Sequence, residues 1–298
     1  MPVKALRSAP EGLDCQLKEL DAKLVGESEL MQALKKSIQT VATSAETVLI
    51  TGESGTGKEL IARAVHELSA QHSKPFLAVN CGALTESLLE SELFGHVRGS
   101  FTGATANKKG FFEAAGDGTI FLDEFAEMSL ATQSRLLRVL EEQTVRPVGL
   151  TEAREIALSA RVVVATNHDL RHDVSIGTFR LDLHYRVNVL QIRAPALRDL
   201  RDDILRLAQH FIRKYNEKNG CQISEHITPE VLAHLKAYSW PGNVRELENI
   251  INRLATKLGE EGVLSGPDLL SDPELNQRNL KSILRTTLIN RLISASAD

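Results

Sequence analysis

The chain has 298 residues, with 35 basic and 39 acidic side chains that give a net charge of −4. This balance excludes a polybasic protein that holds nucleic acid through bulk charge, so any contact with DNA would have to be local. The hydrophobic share of 42% is that of an ordinary globular protein, and the length predicts two domains.

Cysteine usage and hydropathy favour a cytoplasmic protein without a membrane span. The three cysteines are an odd number with no CxxC pair, so they predict neither a disulfide framework nor a zinc cluster. No apolar run approaches the roughly 20 residues that cross a bilayer. The N-terminus lacks the apolar core of a signal peptide.

Residues 1–24 form a polar N-terminal segment in which leucines recur at helical spacing. This spacing predicts a short helix with one apolar face. Such a helix can pack on its own domain or pair between subunits, and its short length leaves both interpretations open. The leucines are Leu13, Leu17, Leu20 and Leu24.

Residues 25–195 alternate helical patterns with short apolar runs. Uninterrupted apolar runs are typical of strands buried on both faces of a parallel sheet, with helices between them. The sequence therefore predicts an α/β domain with a largely parallel five-stranded sheet. The predicted strands are Val48–Thr51, Pro75–Asn80, Thr119–Leu122, Arg161–Thr166 and Val189–Ile192. The predicted helices between them include Glu59–Ser69 and Leu130–Glu142.

A glycine-rich segment, GESGTGK, joins the first predicted strand to the helix after it. Its glycines let backbone N–H groups converge on phosphate oxygens, and the helix N-terminus adds positive potential. Lys58 would reach the β- and γ-phosphates of ATP. The next residue is Glu59, where the general pattern has the Ser or Thr that ligates Mg²⁺. The predicted ATP-binding residues of this segment are Gly52, Glu53, Ser54, Gly55, Thr56, Gly57, Lys58 and Glu59.

Two adjacent carboxylates, Asp123 and Glu124, end the apolar run that begins at Gly118. A strand terminus beside a phosphate loop is where a magnesium-binding Asp belongs, so Asp123 is the predicted Mg²⁺ residue, directly or through water. Glu124 is the predicted general base for the attacking water. These residues predict an ATPase that uses ATP and Mg²⁺.

Beyond Pro195 the predicted strands stop and only helical patterns remain. Thr228-Pro229 is a helix-start signal, and Pro241–Asn243 is a turn signal. The sequence predicts a small all-helical domain over residues 196–262, followed by a tail over residues 263–298. The predicted helices are Asp199–Asn219, Pro229–Ala237 and Val244–Gly259.

These ordered motifs resemble an AAA+ ATPase, and more narrowly the central domain of bacterial sigma-54-dependent transcription activators, over residues 25–260. The loop GESGTGKE has this family's own form, Glu59 included. The segment GSFTGA resembles the family's hallmark loop GAFTGA, with Ser100 in place of Ala. Further resemblances are ESELFG, the Walker B strand GTIFLDE, the sensor I segment VVATNHDL, the arginine-finger segment FRLDLHYRVNV, the segment PALRDLRDDI and the sensor II segment WPGNVRELEN.

The resemblance implies roles for individual residues of this sequence. Asn167 would sense the γ-phosphate, and Asn80 would hold Glu124 away from its water until the sigma factor is engaged. Arg180 and Arg186 would act in trans on the nucleotide of the neighbouring subunit, one or both as arginine fingers, because an arginine donates bidentately to developing phosphoryl charge. The resemblance does not choose between these two arginines.

The resemblance also implies further contacts to ATP and a contact to sigma-54. Arg245 would lie over the phosphates from the helical domain, and Val25 and Gly26 would contact adenine. Two glycines flanking Phe101 and Thr102 would allow a mobile tip that presents one aromatic side chain to sigma-54. The implied contact loop is Gly99, Ser100, Phe101, Thr102, Gly103 and Ala104.

The function implied by the resemblance is that of an ATP-hydrolysing activator. It would remodel the closed promoter complex of sigma-54 RNA polymerase to allow open-complex formation, as a ring of identical subunits, a hexamer or a heptamer. One alternative is an AAA+ ATPase that acts on another protein partner, such as a metal-chelatase or helicase-loader type; the GSFTGA segment disfavours it. The other is a non-hydrolysing, nucleotide-gated DNA-binding regulator, which the Asp-Glu pair and the arginine segment disfavour.

Both ends of the chain are expected to lack the modules that usually accompany such a domain. A helix-turn-helix needs about three helices, and the tail predicts a single amphipathic helix, so contact with promoter or enhancer DNA has no recognisable module. That helix suits packing or subunit contact, or a remnant of a DNA-binding module. A truncated chain and a naturally short one fit equally. The apolar positions of the tail are Leu280, Ile283, Leu284, Leu288 and Leu292.

Overall fold

A computed structural model describes residues 20–100, 104–149, 155–259 and 261–264. The chain divides into two compact units. The first unit contains Leu30–Ala194 and the residues up to Leu24, and the second contains Val25–Glu29 and the residues from Pro195 onward. The short segment Val25–Glu29 therefore groups with the second unit, although it precedes the sheet in sequence.

The first unit is an α/β structure. Its strands are β1 (Val48–Thr51), β2 (Phe76–Asn80), β3 (Gly95–His96), β4 (Lys108–Lys109), β5 (Thr119–Asp123), β6 (Thr144–Val145), β7 (Ile156–Ala157), β8 (Arg161–Thr166) and β9 (Leu190–Arg193). Its helices are α1 (Glu29–Ala42), α2 (Lys58–Glu67), α3 (Glu86–Phe94), α4 (Phe111–Ala114), α5 (Leu130–Glu142), α6 (Leu170–Ser175) and α7 (Leu181–Val187). A 3₁₀ turn, Phe125–Glu127, follows β5.

Five of these strands form one parallel sheet in the order β2-β5-β8-β1-β9. The three inner strands are buried almost throughout, and all six residues of β8 are buried. The edge strands β2 and β9 are more exposed. This arrangement confirms the predicted five-stranded parallel sheet. The prediction succeeded because uninterrupted apolar runs suit strands that are covered by helices on both faces.

The described helices and strands differ from the predicted bounds at a few ends. Strand β2 begins at Phe76, since Pro75 has no N–H to donate to the ladder. Strand β5 extends to Asp123, and helix α2 begins already at Lys58. Leu20 and Leu24 of the predicted N-terminal helix are buried, whereas Leu13 and Leu17 lie outside the described residues.

The second unit is largely helical, with α8 (Ile204–Asn219), α9 (Pro229–Ala237) and α10 (Asn243–Leu258). The prediction that its first helix begins at Asp199 is wrong, because Leu197–Asp199 forms a separate 3₁₀ turn before α8. Two short parallel strands, β10 (Gln222–Ile223) and β11 (Glu261–Gly262), also correct the prediction that no strand follows Pro195. Two-residue strands are too short to leave a pattern in the sequence.

Helix termini of the second unit follow the expected signals. Thr228 accepts a hydrogen bond from the N–H of Val231, and Pro229 stands in the first turn of α9. Gly220 ends α8 in the left-handed conformation. The predicted tail helix from Leu280 to Leu292 lies outside the described residues. In the part of the chain that the structure describes, no helix is long and apolar enough to cross a membrane.

Candidate functional site

Several predicted site residues of the first unit lie where the parallel strands end, at the side of the sheet that is here called its carboxyl edge. Strand β1 ends at Thr51, which leads into the glycine-rich loop. Asn80 and Asp123 are register partners at the ends of β2 and β5. Asn167 follows directly after β8 and is exposed. Because parallel strands end at the same edge, the loop, Asn80, Asp123 and Asn167 lie along one side of the sheet.

The glycine-rich loop has the backbone of a phosphate cradle. Gly57, the N-cap of α2, has φ 85° and ψ 28°, a left-handed conformation that favours glycine. At Gly52 the constraint is one of space, since a Cβ there would lie 2.8 Å from the Cβ of Ala194. Gly57 is both the last glycine of the loop and the N-cap of α2, so the amino end of this helix adjoins the loop and no side chain caps it.

The Lys58 ammonium lies inside this loop. Lys58 is 9% exposed, and its Nζ donates to the carbonyl oxygens of Gly52, at 2.9 Å, and Glu53, at 3.0 Å. The Thr56 hydroxyl donates to the same Glu53 carbonyl at 2.8 Å. These bonds fold the loop around the ammonium and concentrate positive charge where the helix dipole also points.

Asp123 is the last residue of β5, and Glu124 leads from it into the 3₁₀ turn. The N–H of Glu124 donates to Oδ1 of Asp123 at 3.0 Å. Burial raises the pKa of Asp123 above its ordinary value, against the opposing effects of that hydrogen bond and of the Lys58 charge. Glu124 has φ 52° and ψ 37°, a left-handed conformation that costs a non-glycine residue roughly 1–2 kcal/mol. Such strain is typical of a functional side chain that the surrounding fold holds in place.

Gly82 marks the small space into which the Glu124 carboxylate points. A Cβ on Gly82 would lie 2.8 Å from Oε2 of Glu124 and 3.5 Å from Oδ1 of Asn80. The same Asn80 oxygen accepts the N–H groups of Gly82, at 2.9 Å, and Ala83, at 3.0 Å. Among the described residues the structure shows no direct hydrogen bond from Asn80 to Glu124; the two side chains meet beside Gly82.

Arg180 is the N-cap residue of α7 and Arg186 lies within this helix, which packs against α5. The Arg180 guanidinium binds both oxygens of Asp182, at 3.0 and 2.6 Å. Arg186 donates to the carbonyl of Leu140 in α5. Arg186 is also close in sequence to Leu190, which is paired with Val48 at the amino edge of the sheet. Because Val48 begins β1 and the glycine-rich loop follows the end of β1, the residues just before β9 lie at the opposite side of the sheet from that loop.

The GSFTGA segment lies at the end of a hairpin formed by β3 and β4. The N–H of Gly99 donates to the carbonyl of Ala104 at 2.9 Å and closes the base of the loop. Ser100 has a buried hydroxyl with no hydrogen-bond partner among the described residues. The predicted contact residues Phe101, Thr102 and Gly103 lie outside the described residues.

The hairpin stands directly on the end of α3. A Cβ on Gly95, the C-cap of α3, would lie 2.6 Å from the carbonyl oxygen of Lys108, so the backbones of the two hairpin strands are in close contact at this point. At its other end, α3 accepts a hydrogen bond through Glu86 from the hydroxyl of Ser129, the N-cap of α5. Helix α3 therefore connects the segment after Glu124 to the hairpin.

The remaining predicted ATP residues belong to the second unit. Val25 and Gly26 lie in the short segment before α1, and Arg245 is exposed near the start of α10. The segment Val25–Glu29 is held by the carboxylate of Asp203, which accepts the N–H groups of Glu27, at 2.7 Å, and Ser28, at 3.0 Å. Asp203 is 1% exposed, so this carboxylate is committed to that segment.

Residues 24–193 match the family model described as "Sigma-54 interaction domain", and residues 198–283 match the one described as "AAA+ ATPase lid domain". The chain belongs to the sigma-54 interaction domain family. The predicted resemblance is thereby confirmed, together with an AAA+ α/β fold that is followed by a helical lid.

Relatives of this sigma-54 interaction domain are regulators of transcription. The transcriptional regulatory protein ZraR of Salmonella typhimurium is 48% identical over 238 residues, which cover 80% of this chain and 53% of ZraR. The sigma54-dependent transcriptional activator SfnR of Pseudomonas putida is 49% identical over 245 residues, which cover 82% of this chain and 66% of SfnR. The chain thus spans less than two thirds of either relative.

Solved structures with the same fold extend the comparison. NtrX from Brucella abortus, in complex with ADP, superposes with a TM-score of 0.78 and 34% identity, covering 89% of this chain and 58% of NtrX. Yeast Hsp104, in a casein complex, has a TM-score of 0.59 and 18% identity, covering 84% of this chain and 48% of Hsp104. At that identity the likeness to Hsp104 concerns the fold alone.

Sequence reasoning missed three residues that lie next to predicted site residues or hold a segment that contains them. Gly82 leaves room for Glu124, Asp203 holds the segment that contains Val25 and Gly26, and His168 lies between two carboxylates beside Asn167. The position of His168 next to the sensor I asparagine was the one signal in the sequence. The other two contacts join residues that no local pattern connects.

Proposed function

We propose that this chain is the ATP-hydrolysing unit of a sigma-54-dependent transcription activator. The observation that carries the proposal is the carboxyl-edge cluster of Lys58, Asp123 and Glu124 within a sigma-54 interaction domain. Hydrolysis would be coupled to remodelling of the closed promoter complex of sigma-54 RNA polymerase, so that an open complex forms.

The loop geometry supports ATP as the nucleotide. The buried Lys58 ammonium and the amino end of α2 supply positive charge at one place, and Gly52 and Gly57 keep side chains out of it. The structural relative NtrX has been solved in complexes with ADP and with ATP. A phosphate chain in this loop would exchange solvent contacts for backbone N–H groups and the lysine.

Mg²⁺ fits the donor set at Asp123. A carboxylate whose pKa is raised by burial gains from a nearby cation, and among the described residues a hydrogen bond from the N–H of Glu124 engages one of the two Asp123 oxygens. When bound there, directly or through water, Mg²⁺ would neutralise charge on the β- and γ-phosphate oxygens. Glu59, which follows Lys58, forms an exposed ion pair with Arg63 one turn along α2.

The chemical step assigned to this chain is attack of water on the γ-phosphorus. Glu124 accepts a proton from the water as the new oxygen–phosphorus bond forms, and the bond from the γ-phosphorus to the bridging oxygen breaks to release ADP. Lys58 stabilises the charge on the phosphates, and Asn167 donates to the γ-phosphate. Asn80 restrains Glu124 across the space beside Gly82 until sigma-54 is engaged.

A ring of identical subunits, a hexamer or a heptamer, would complete the site. The placement of Arg186 towards the edge opposite its own glycine-rich loop supports a role on the neighbouring subunit. Arg180 is bound to Asp182 at the surface and would exchange that carboxylate for a phosphate. The lid would contribute Arg245 over the phosphates, with Val25 and Gly26 beside adenine.

Asp203 gives a direct test of the adenine segment. Replacing Asp203 by Asn removes the charge that holds the N–H groups of Glu27 and Ser28, and we expect the KM for ATP to rise about tenfold with little change in kcat. The matched control is Asp202→Asn, because Asp202 is the adjacent residue and its side chain is 88% exposed. An unchanged KM in a folded D203N protein would show that this segment does not bind the base.

Phe101 is the side chain through which the GSFTGA loop would contact sigma-54. We expect Phe101→Ala to abolish ATP-dependent binding of sigma-54 while ATP hydrolysis continues, because none of the predicted ATP-binding or catalytic residues belongs to the GSFTGA segment. Ile176→Ala, which removes an apolar side chain that is 57% exposed on another element, serves as the control. Open-complex formation by F101A at the wild-type rate would overturn the assignment of the loop.

The experiment that tests the whole proposal is reconstitution of a sigma-54 promoter. Purified chain, ATP and a closed complex of sigma-54 RNA polymerase are mixed, and open complexes are counted while phosphate release and oligomer mass are measured. The expected result is ATP-dependent opening by a ring. Phosphate release without opening would instead favour an AAA+ ATPase for another protein partner, and nucleotide binding without phosphate release would favour a non-hydrolysing regulator.

A further inference from the structure

The His168 ring lies between two carboxylates from two different elements. Its Nδ1 is 2.9 Å from Oδ2 of Asp173 in α6, and its Nε2 is 2.9 Å from Oε1 of Glu127 in the 3₁₀ turn after β5. An ionised carboxylate only accepts hydrogen bonds, so both ring nitrogens must donate, and only the imidazolium form does this. A neutral ring would keep one bond and lose the other. We call these three residues the His168 clasp.

The charges around the ring favour its protonated form. Burial by itself lowers the pKa of His168, but the hydrogen bonds and charges of Asp173 and Glu127 outweigh it, so the pKa is raised above 6.5. Glu127 and Asp173 are the charged groups that face the ring among the described residues. The ring is 34% exposed and therefore exchanges protons with solvent.

The clasp joins the two segments that carry the hydrolytic chemistry. His168 directly follows Asn167, and the backbone N–H of His168 donates to the Thr166 hydroxyl at 3.0 Å. On the other side, the N–H of Glu127 donates to the carbonyl of Glu124 at 3.0 Å. Glu127 is thus tied through its backbone to Glu124 and through its side chain to the residue after Asn167.

Glu127 also borders the space that the catalytic carboxylate uses. A Cβ on Gly82 would lie 2.8 Å from Oε2 of Glu124 and 3.4 Å from Cγ of Glu127. Movement of the Glu127 side chain therefore changes the room available to Glu124. The strained backbone at Glu124 makes its orientation dependent on such neighbours.

We propose that His168, as an imidazolium, is a positioning residue that holds the turn bearing Glu124 in register with the nucleotide-sensing Asn167. The inference rests on the proposed ATPase function and adds a pH dependence to it. The clasp is complete below the titration point of His168 in the folded protein and is lost as the pH rises through that point. Turnover of bound ATP falls with it, whereas the affinity for ATP does not.

The pH profile of kcat tests the clasp. We expect wild-type kcat to fall about tenfold as the pH rises from 6.5 to about 9. His168→Gln is expected to have, at every pH, the low kcat that the wild type reaches at alkaline pH, so its kcat does not fall as the pH rises. His168→Arg, which keeps a positive charge and two-sided donors, retains the high kcat at alkaline pH. The KM for ATP is the same in all three, which a general loss of structure would not give.

His172→Gln is the matched control, because His172 is an exposed histidine on the same helix as Asp173. His172→Gln is expected to show the same pH dependence of kcat as the wild type. Thermal unfolding midpoints of both glutamine variants are measured to compare their stability. Profiles that coincide for the wild type and H168Q would overturn the proposal. The proposal would also be overturned if the kcat of H168R fell at alkaline pH as much as the wild-type kcat does.

An NMR titration of the histidines in the nucleotide-free chain provides a readout without hydrolysis. His168 should titrate above 6.5 in the wild type, and both Glu127→Gln and Asp173→Asn should lower its titration point. A titration point that neither variant lowers would contradict the clasp. Absence of ATP hydrolysis by the wild type across the pH range would count against the proposed function instead, so the two failures are distinguishable.

Discussion

Replacing Glu124 by Gln is expected to lower kcat for ATP hydrolysis by about 10²–10⁴-fold while ATP binding is retained. Glutamine has nearly the same shape and keeps the contacts beside Gly82, but it accepts no proton from water. The variant should therefore accumulate as an ATP-bound ring. Phosphate release and binding of a fluorescent ATP analogue measure the two quantities separately.

The control for this substitution is Glu141→Gln, an exposed glutamate near the end of α5. It should leave both kcat and ATP binding unchanged. Loss of ATP binding in E124Q would mean that the carboxylate supports the loop instead of the reaction. A wild-type rate in E124Q would remove Glu124 from the mechanism, and Asp123 would then be the remaining carboxylate at the end of β5.

Removing the arginine finger is expected to lower hydrolysis by about 10³–10⁵-fold, the largest effect predicted for this chain. Arg180→Ala and Arg186→Ala are tested singly, because the structure gives the two guanidinium groups different partners, Asp182 and the carbonyl of Leu140. The variant with the large loss identifies the finger. Arg171→Ala, at an exposed arginine of α6, is the control.

Mixing two inactive variants tests whether the finger acts in trans. A subunit with the arginine replaced still has Glu124, and an E124Q subunit still has the arginine. In a randomly mixed ring about a quarter of the interfaces combine both intact groups, so activity should reappear on mixing. Rings of normal mass that stay inactive with either arginine variant would contradict a role in trans.

The parts of the site that could be predicted from sequence are those encoded by local patterns. The buried strands, the glycine-rich loop and the Asp-Glu pair each lie within a few consecutive residues, and the parallel sheet then brings their ends to one edge. The bounds of α5, Leu130–Glu142, agree with the predicted helix, and the structure adds that Ser129 caps it by accepting the N–H of Thr132.

Other parts depend on contacts between distant residues, for which the sequence carries no local signal. Glu127 and His168 are 41 residues apart, and Glu27 and Asp203 are 176 apart. Asp203 is the N-cap of α8, and its contact with the segment before α1 is likewise one that no local pattern encodes. Gly82 lies beside the Glu124 carboxylate although the two residues are far apart in sequence, so no local pattern marks this glycine.

Helix α3 has a mechanical consequence for the hairpin that stands on it. Its nine residues make a rod about 13 Å long, with Glu86 held by Ser129 at one end and Gly95 packed against Lys108 at the other. A tilt of about 10° at the Ser129 end would displace the hairpin base by about 2 Å, and the loop beyond it by more. A helix that opens locally would not transmit such a tilt. Hydrogen-exchange protection along α3, which reports local opening, therefore bears on whether the proposed hydrolysis of ATP could move the GSFTGA loop.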